Sequence, residues 1–330
     1  MPESVDSTEL KTTSPPPPAA EPVHQALFGS AVKFARSSLQ ALADGDSSLF
    51  LLHAGTALEH LAKSMLASLH GSLIASPKHI RSLLFLAGFE KEAGIKRSQI
   101  RTINFEEALG RAGLVVPQLA NLKEPLQPLV DGRNGVAHAA VADQDTAEEV
   151  APLFLRACDL LLEKTKVERA AFWGDLLDVV DAREAASAEA AKISALEKIA
   201  AAVAAFEGRY GSLVDEVRQA LLATIAGTYA PEKYEQTLMG CPVCATPALV
   251  EGTIDVVWEP DWDYADGESY IVGVYPKVTI FPQRLECRAC GLELEGEAQL
   301  AAGGVPRSWE LDDVDPADFR QEPDLDWDDL

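Results

Sequence analysis

Two Cys-x-x-Cys pairs, Cys241 with Cys244 and Cys287 with Cys290, restrict the fold of this chain more than any other feature. Each pair sets two thiolates on one tight turn, where both sulfurs can reach a single tetrahedral ion, and two such knuckles on neighbouring hairpins complete a four-cysteine site. Residues 245–286, between the pairs, are rich in strand formers. Strands are predicted over 248–258, 270–274 and 277–281, and over 292–294 beyond the second pair. Residues 231–307 therefore read as a zinc ribbon, in which the metal substitutes for a hydrophobic core too small to hold itself. Gly291 directly follows the second pair and suits the turn, whereas Ala245 follows the first. Four cysteines fill a tetrahedral shell, so the expected zinc is structural, with no open position for chemistry. A redox pair is the other use of this spacing, but no thioredoxin-like βαβ pattern surrounds either motif. The fifth cysteine, Cys158, lies in an apolar helical pattern and reads as a small buried hydrophobe.

Upstream of the knuckles the apolar period is helical. Residues 1–22, polar and acidic with the run Pro15 to Pro18, read as a disordered or polyproline-like leader. Over 23–43 the residues Leu27, Ala31, Phe34, Leu39 and Leu42 roughly follow a helical stripe. Asp46 is placed to cap a second helix over 47–70, where Ala54, Leu58, Leu61, Met65 and Leu69 recur at helical spacing; this is taken as the central helix of a bundle. Ser76 with Pro77 reads as the cap and first residue of a short helix that stops at Gly88. Asn104 with Glu107 opens another to about residue 112, and Asp145 with Glu148 opens a third over 146–164. Residues 167–227 stay helical and Ala-rich. From Leu196 the residues Ile199, Val203, Phe206, Tyr210, Leu213 and Val217 form a short heptad seam. Gly208 and Gly211 interrupt it, which suits one kinked helix or a helical hairpin packed on its own chain, with self-association as an option. The predicted architecture is mainly α. It comprises a leader (1–22), a helical bundle (23–166), a helical stalk (167–230), a small β zinc-ribbon domain (231–307) and an acidic tail (308–330).

Charge narrows the choice of partners. With 28 Lys and Arg against 52 Asp and Glu, the formal net charge is -24, which argues against indiscriminate nucleic-acid binding. Any RNA contact has to be local and shape-selected. Lys78, Arg81, Lys91, Lys96, Arg97 and Arg101 form one local basic group. Either it tracks RNA phosphates, with Lys96, Arg97 and Arg101 as substrate-binding candidates, or it is a solvated surface. No apolar run reaches the roughly eighteen residues that span a bilayer. The first residues lack the basic start and apolar core of a secretory signal. A cytoplasmic location without a membrane partner is expected. The final stretch, ending DLDWDDL, is a solubilising or an interaction tail.

One stretch, Asp131 to His138, looks like chemistry, because Arg133, Asn134 and His138 lie within six residues of one another. On a straight helix positions 133 and 138 stand about 140° apart around the axis, whereas Asn134 and His138 share a face. A single ordinary helix therefore does not assemble the group. Either Gly132 and Gly135 loosen the helix so that Arg133 bends toward His138, or a second copy of the chain completes the cleft across a two-fold axis.

Arginine, a polar residue, three further residues and histidine, in a late helix of a helical bundle, resemble the motif of the HEPN superfamily. The earlier helix around His53 to Leu66 has a similar look. The resemblance covers roughly residues 23–166. It implies an all-helical bundle and metal-independent RNA cleavage, in which a ribose 2′-hydroxyl attacks the adjacent phosphate and leaves a cyclic phosphate end. His138 would move protons, Arg133 would hold the phosphorane charge bidentately, and Asn134 would orient either one. The resemblance further implies a site at a homodimer interface, and an endoribonuclease of this kind suits a defence or stress toxin. Other members of the superfamily act only in binding, so a non-catalytic dimerisation or adaptor protein, docking a protein partner through the ribbon or the acidic tail, is the alternative. Glu59 is either an additional acid of the site or, through its i, i+4 pairing with Lys63, part of a solvated helix face; the latter is expected. His53 and His60 read as packing or surface residues.

Overall fold

A computed structural model describes residues 22–139, 144–231, 234–265, 268–312 and 314–319. It is mostly helical, with one small antiparallel sheet. Helix α1 (Val23–Ala43) turns through Gly45 into α2 (Ser47–Leu69). Asp46 caps α2 as its sequence position predicts, its carboxylate accepting from the Leu49 N–H at 2.9 Å. From Ala57 to Leu66 every residue of α2 except His60 is buried. The helix is enclosed because α1, α5 (Phe105–Gly113), α7 (Gln127–Ala139) and α8 (Gln144–Thr165) all pack against it. Two glycines set the approach of α2 to α7. A Cβ on Gly55 would lie 2.8 Å from the Arg133 Cβ, and one on Gly132 would lie 2.9 Å from Leu51. Either substitution would force these helices apart.

The short elements between follow local capping. Helix α3 (Ile80–Leu86) starts later than Ser76 and Pro77 suggest, with His79 at its cap position. The Ser76 N–H is taken by the Arg101 carbonyl at 3.1 Å, next to a bridge between Ala75 and Thr102, so this strand-like pairing wins over a helix start. Gly88, at φ +95°, ends the turn after α3 as expected. Helix α4 (Glu90–Ala93) and a 3₁₀ turn over Arg97–Gln99 follow. Asn104 caps α5 through the Glu107 N–H at 2.8 Å, and α6 (Pro117–Ala120) has proline in its first turn. Helix α8 already includes Asp145, the residue expected to cap it, whose side chain lies outside the described residues.

Beyond the bundle, α9 (Arg169–Trp173) leads into α10 (Leu177–Tyr210) and α11 (Asp215–Ala226). Helix α10 does not stand free. Ala195 and Ala202 are buried in one core with Cys241, Cys287, Cys290 and Leu294, while Val203, a position of the heptad seam, stays exposed. The helix ends at Tyr210, before Gly211, and the chain restarts as α11, so this segment is two helices and not a single kinked one. The sheet has the order β1 (Gln236–Gly240), β2 (Pro247–Ala265), β3 (Glu268–Cys287), β4 (Leu292–Glu295), with β5 (Trp309–Glu310) pairing to β3 and α12 (Gly296–Ala302) after β4. The two strands anticipated at 270–274 and 277–281 are one, running through Pro276. Among the described residues no strand pairs with their outer edge at that point, so the proline forfeits no ladder bond there. No helix among the described residues is long and apolar enough to cross a membrane.

Three elements meet at Arg169. Its guanidinium pairs with Asp159 of α8 at 2.9 Å and with Asp181 and Glu184 of α10 at 2.7 and 2.6 Å. Burial, and then the negative charge of Asp159, push the Glu184 carboxyl up to about 7, against the opposing pull of Arg169. A carboxyl raised in the folded state favours folding while it is protonated and loses that contribution as pH rises from its unfolded value toward 7. The melting temperature of Glu184→Gln, relative to the parent chain, should therefore rise between pH 5 and pH 8. A difference that stays constant across that range would contradict this assignment.

Candidate functional site

The two Cys-x-x-Cys turns sit at matching ends of adjacent hairpins, between β1 and β2 and between β3 and β4. They close in the same way. The Ala245 N–H donates to the Cys241 carbonyl at 2.9 Å, and the Gly291 N–H donates to the Cys287 carbonyl at 2.7 Å. Both closing residues take left-handed backbone, Ala245 at φ +57° and Gly291 at φ +78°. The first knuckle thus adopts the same turn without its glycine, at a strain of roughly 1–2 kcal/mol.

The turns bring four sulfurs together. Cys241 Sγ lies 3.6 Å from Cys290 Sγ and Cys244 Sγ lies 3.5 Å from Cys287 Sγ, and all four fall within 4.8 Å of one another. A tetrahedral thiolate shell with bonds of about 2.3 Å spaces its sulfurs by about 3.8 Å, so the cluster has the dimensions to hold one metal ion. Hydrogen bonds from the Cys287 and Cys290 thiols hold the Cys241 thiol down to about 4, and the Val243 N–H adds to this from 3.4 Å. The Cys290 thiol, as a donor to Cys241, is pushed up. The sulfurs thus share one thiolate among thiol donors, and a bound cation would take the place of the remaining thiol protons.

The second knuckle is also braced from outside the ribbon, by residues that no motif in the sequence signals. Arg209 of α10 donates to the Ala289 carbonyl at 3.0 Å. The Tyr229 hydroxyl donates to the Glu286 carbonyl at 3.2 Å and accepts from the Arg288 N–H at 2.7 Å, with the Arg288 guanidinium over its ring.

The motif helix tells a different story. Leu129 and Val130, with Leu126 just before the helix, bury one face of α7, and Gly55 lets Arg133 lie against α2. Arg133 Nη2 then meets Glu59 Oε2 at 2.7 Å, and Lys63 Nζ meets Glu59 Oε1 at 2.6 Å. Lys63 also donates to the Thr102 hydroxyl at 3.0 Å, and the Arg133 guanidinium stands 6.0 Å from the Phe105 ring centre. Asn134 is exposed and accepts from Arg133 Nη1 at 3.3 Å. The side chain of His138 lies outside the described residues.

The solvated face expected for Glu59 and Lys63 is therefore a correction. Their side chains are only 10% and 5% exposed, because α1, α5, α7 and α8 enclose α2 at this level and leave these two residues no solvated face. Arg133 keeps 28% of its side chain exposed, so one carboxylate serves two cations and the outer one reaches solvent. His60, adjacent, packs edge-on to Phe34 and shares a hydrogen bond with Ser30 at 2.9 Å. Burial lowers its pKa, with Glu59 opposing and Lys63 and Arg133 reinforcing. His53 also packs on Phe34. Lys96, Arg97 and Arg101 are exposed, and Arg101 precedes Thr102, which touches the Lys63 end of this network. Cys158 is fully buried, and burial pushes its thiol up, as befits an inert core residue. Comparison of the chain with protein-family models, curated proteins and solved structures gives no match.

Two substitutions separate these centres. Glu59→Ala leaves Lys63 buried without its counter-charge and should cost about 3–5 kcal/mol in denaturant unfolding. Gly291→Ala meets open space, its nearest neighbour being Arg209 at 3.9 Å. Its cost should be that of the left-handed backbone alone, about 1–2 kcal/mol.

Proposed function

We propose that this chain is a metal-independent endoribonuclease of HEPN type, with a structural zinc ion held by Cys241, Cys244, Cys287 and Cys290. The observation that carries the reading is the anchoring of Arg133: a guanidinium tied at Nη2 by a buried carboxylate and at Nη1 by Asn134, on a side chain that stays 28% exposed. Such a group is oriented in advance to receive two phosphate oxygens, which is how electrostatic stabilisation of a phosphorane is obtained at little reorganisation cost. In the reaction the ribose 2′-oxygen attacks its own 3′-phosphate, the bond from phosphorus to the 5′-oxygen breaks, and a 2′,3′-cyclic phosphate forms. His138 takes the 2′ proton and returns one to the departing 5′-oxygen. Arg133 holds the equatorial oxygens, and Asn134, hydrogen-bonded to Arg133, orients it.

Helix α7 runs unbroken through Gly132 and Gly135. That supports the second of the two routes to a site, in which Arg133 of one copy meets His138 of another across a two-fold axis. Zinc is the assigned metal because it takes four thiolates tetrahedrally. It would hold the two hairpins together and supply no chemistry to the cleavage. Lys96, Arg97 and Arg101 would lead RNA toward Thr102 and the network beyond it. A role as a defence or stress toxin in the cytoplasm fits this activity.

The second reading is a non-catalytic dimerisation or adaptor protein. It is favoured by the same contact, since Glu59 already satisfies the charge of Arg133 within one chain. Incubating RNA with purified protein in EDTA decides between them. The enzyme reading predicts cleavage to cyclic phosphate ends, lowered by at least about a hundredfold in Arg133→Ala and in His138→Ala. Intact RNA with a folded parent chain, or cleavage indifferent to both substitutions, would overturn it. Elemental analysis under reducing conditions should find one zinc per chain; a metal-free folded ribbon would sink that assignment.

A further inference from the structure

Strands β2 and β3 run on past the rest of the sheet as a two-stranded arm. β1 pairs with β2 only as far as Glu251, β4 with β3 only back to Arg284, and β5 touches β3 only at Thr279 and Ile280. Two strands without a third or a covering layer are marginal in water. Over 254–261 and 273–277 the arm carries three carboxylates, Asp255, Glu259 and Asp261, against Lys277 alone. By the register Asp255, Val257, Glu259 and Asp261 share a face with Tyr275 and Lys277. On that face Val257 and Tyr275 are 51% and 44% exposed, and Lys277 is occupied by Glu259 and Glu310. The arm therefore presents exposed apolar side chains within an acidic field.

The bundle holds the complement. Residues 78–101 carry six cations, Lys78, Arg81, Lys91, Lys96, Arg97 and Arg101, against Glu90 and Glu92, in a chain whose formal net charge is -24. Among them Ile80 and Phe89 are 64% and 54% exposed. The segment is held in shape by the Arg101 N–H on the Ser82 hydroxyl at 2.9 Å and the Ser76 N–H on the Arg101 carbonyl. Arm and segment thus match in charge and in exposed apolar groups, and in the single chain the apolar groups of both stay uncovered.

We propose that the acidic arm of one copy seats on the basic 78–101 segment of a second copy, reciprocally, so that the contact is made twice about a two-fold axis. Charge complementarity fixes the partner, because two chains of like net charge repel everywhere except where these surfaces meet. The surface excludes Arg133 and the cysteines but takes in Lys96, Arg97 and Arg101, so the seated arm and an RNA path along those three residues exclude each other, while the cleavage chemistry at Arg133 is untouched.

Sedimentation velocity of the full chain tests it, with folding checked by circular dichroism. A dimer weakening as salt rises from about 50 to about 500 mM is expected. Asp255→Lys with Asp261→Lys, or Lys91→Glu with Lys96→Glu, should each weaken it by at least about tenfold. Mixing the two reversed proteins restores matched charges at both contacts and should restore the dimer. A parent chain that stays monomeric at low salt, or a dimer that both reversals leave unmoved, would overturn the proposal. So would reversal at Lys91 and Lys96 that abolishes RNA binding without changing the mass, since the segment would then serve nucleic acid. RNA cleavage is read separately, so failure here leaves the ribonuclease reading standing, and the reverse holds too.

Discussion

The carboxylate of Glu59 holds the bundle's polar interior together. Buried between Lys63 and Arg133, it is the common counter-charge of α2 and α7, and through Lys63 it reaches Thr102 ahead of α5. Burial of two charges, Glu59 and Lys63, in a helical core carries a desolvation penalty, which is offset only when each finds close partners. Distances of 2.6 and 2.7 Å meet that condition. Gly55 and Gly132 belong to the same device, since without them the helices would stand too far apart for Arg133 to reach Glu59. A network built at such cost fixes one relative placement of α2 and α7, and with it the direction of the arginine on the motif helix.

The metal centre obeys a parallel logic at the other end of the chain. Four sulfurs converge because two identical turns close through left-handed residues, and helix α10 covers the result with Ala195 and Ala202. Ties run from that helix to both sides: Arg209 to the second knuckle, and Asp181 with Glu184 to Arg169 beside the bundle. A further pair, Arg156 with Glu297 at 2.6 Å, joins α8 directly to α12. The segment that reads as a stalk is thus a shared wall between two hydrophobic cores.

The sequence made some of this legible and hid the rest for identifiable reasons. Cysteine spacing announced the cluster because a ligand turn is local chemistry, and Asp46 and Asn104 announced their helices because capping is local as well. Ser76 misled because a long-range pairing with Arg101 took its N–H. The two strands predicted at 270–274 and 277–281 are one, with Pro276 at a point where β3 has no partner beyond β2 among the described residues. Glu59 misled most: i, i+4 pairing with Lys63 is the usual mark of a wet face, and only its setting among Leu58, Leu61, Ala62 and Leu66 hinted that α2 is enclosed there. Arg209 and Tyr229, which brace the second knuckle, act across the fold and left no local signal.

The central proposal is that the arginine so fixed works with a histidine from another chain, because α7 is unbroken between positions 133 and 138. Mixing inactive Arg133→Ala protein with inactive His138→Ala protein tests this most directly. In a two-fold dimer with composite sites each mixed dimer regains one intact site, so statistical mixing should restore about a quarter of the parent RNA-cleaving activity. No recovery on mixing, with both proteins folded and exchanging subunits, would contradict it.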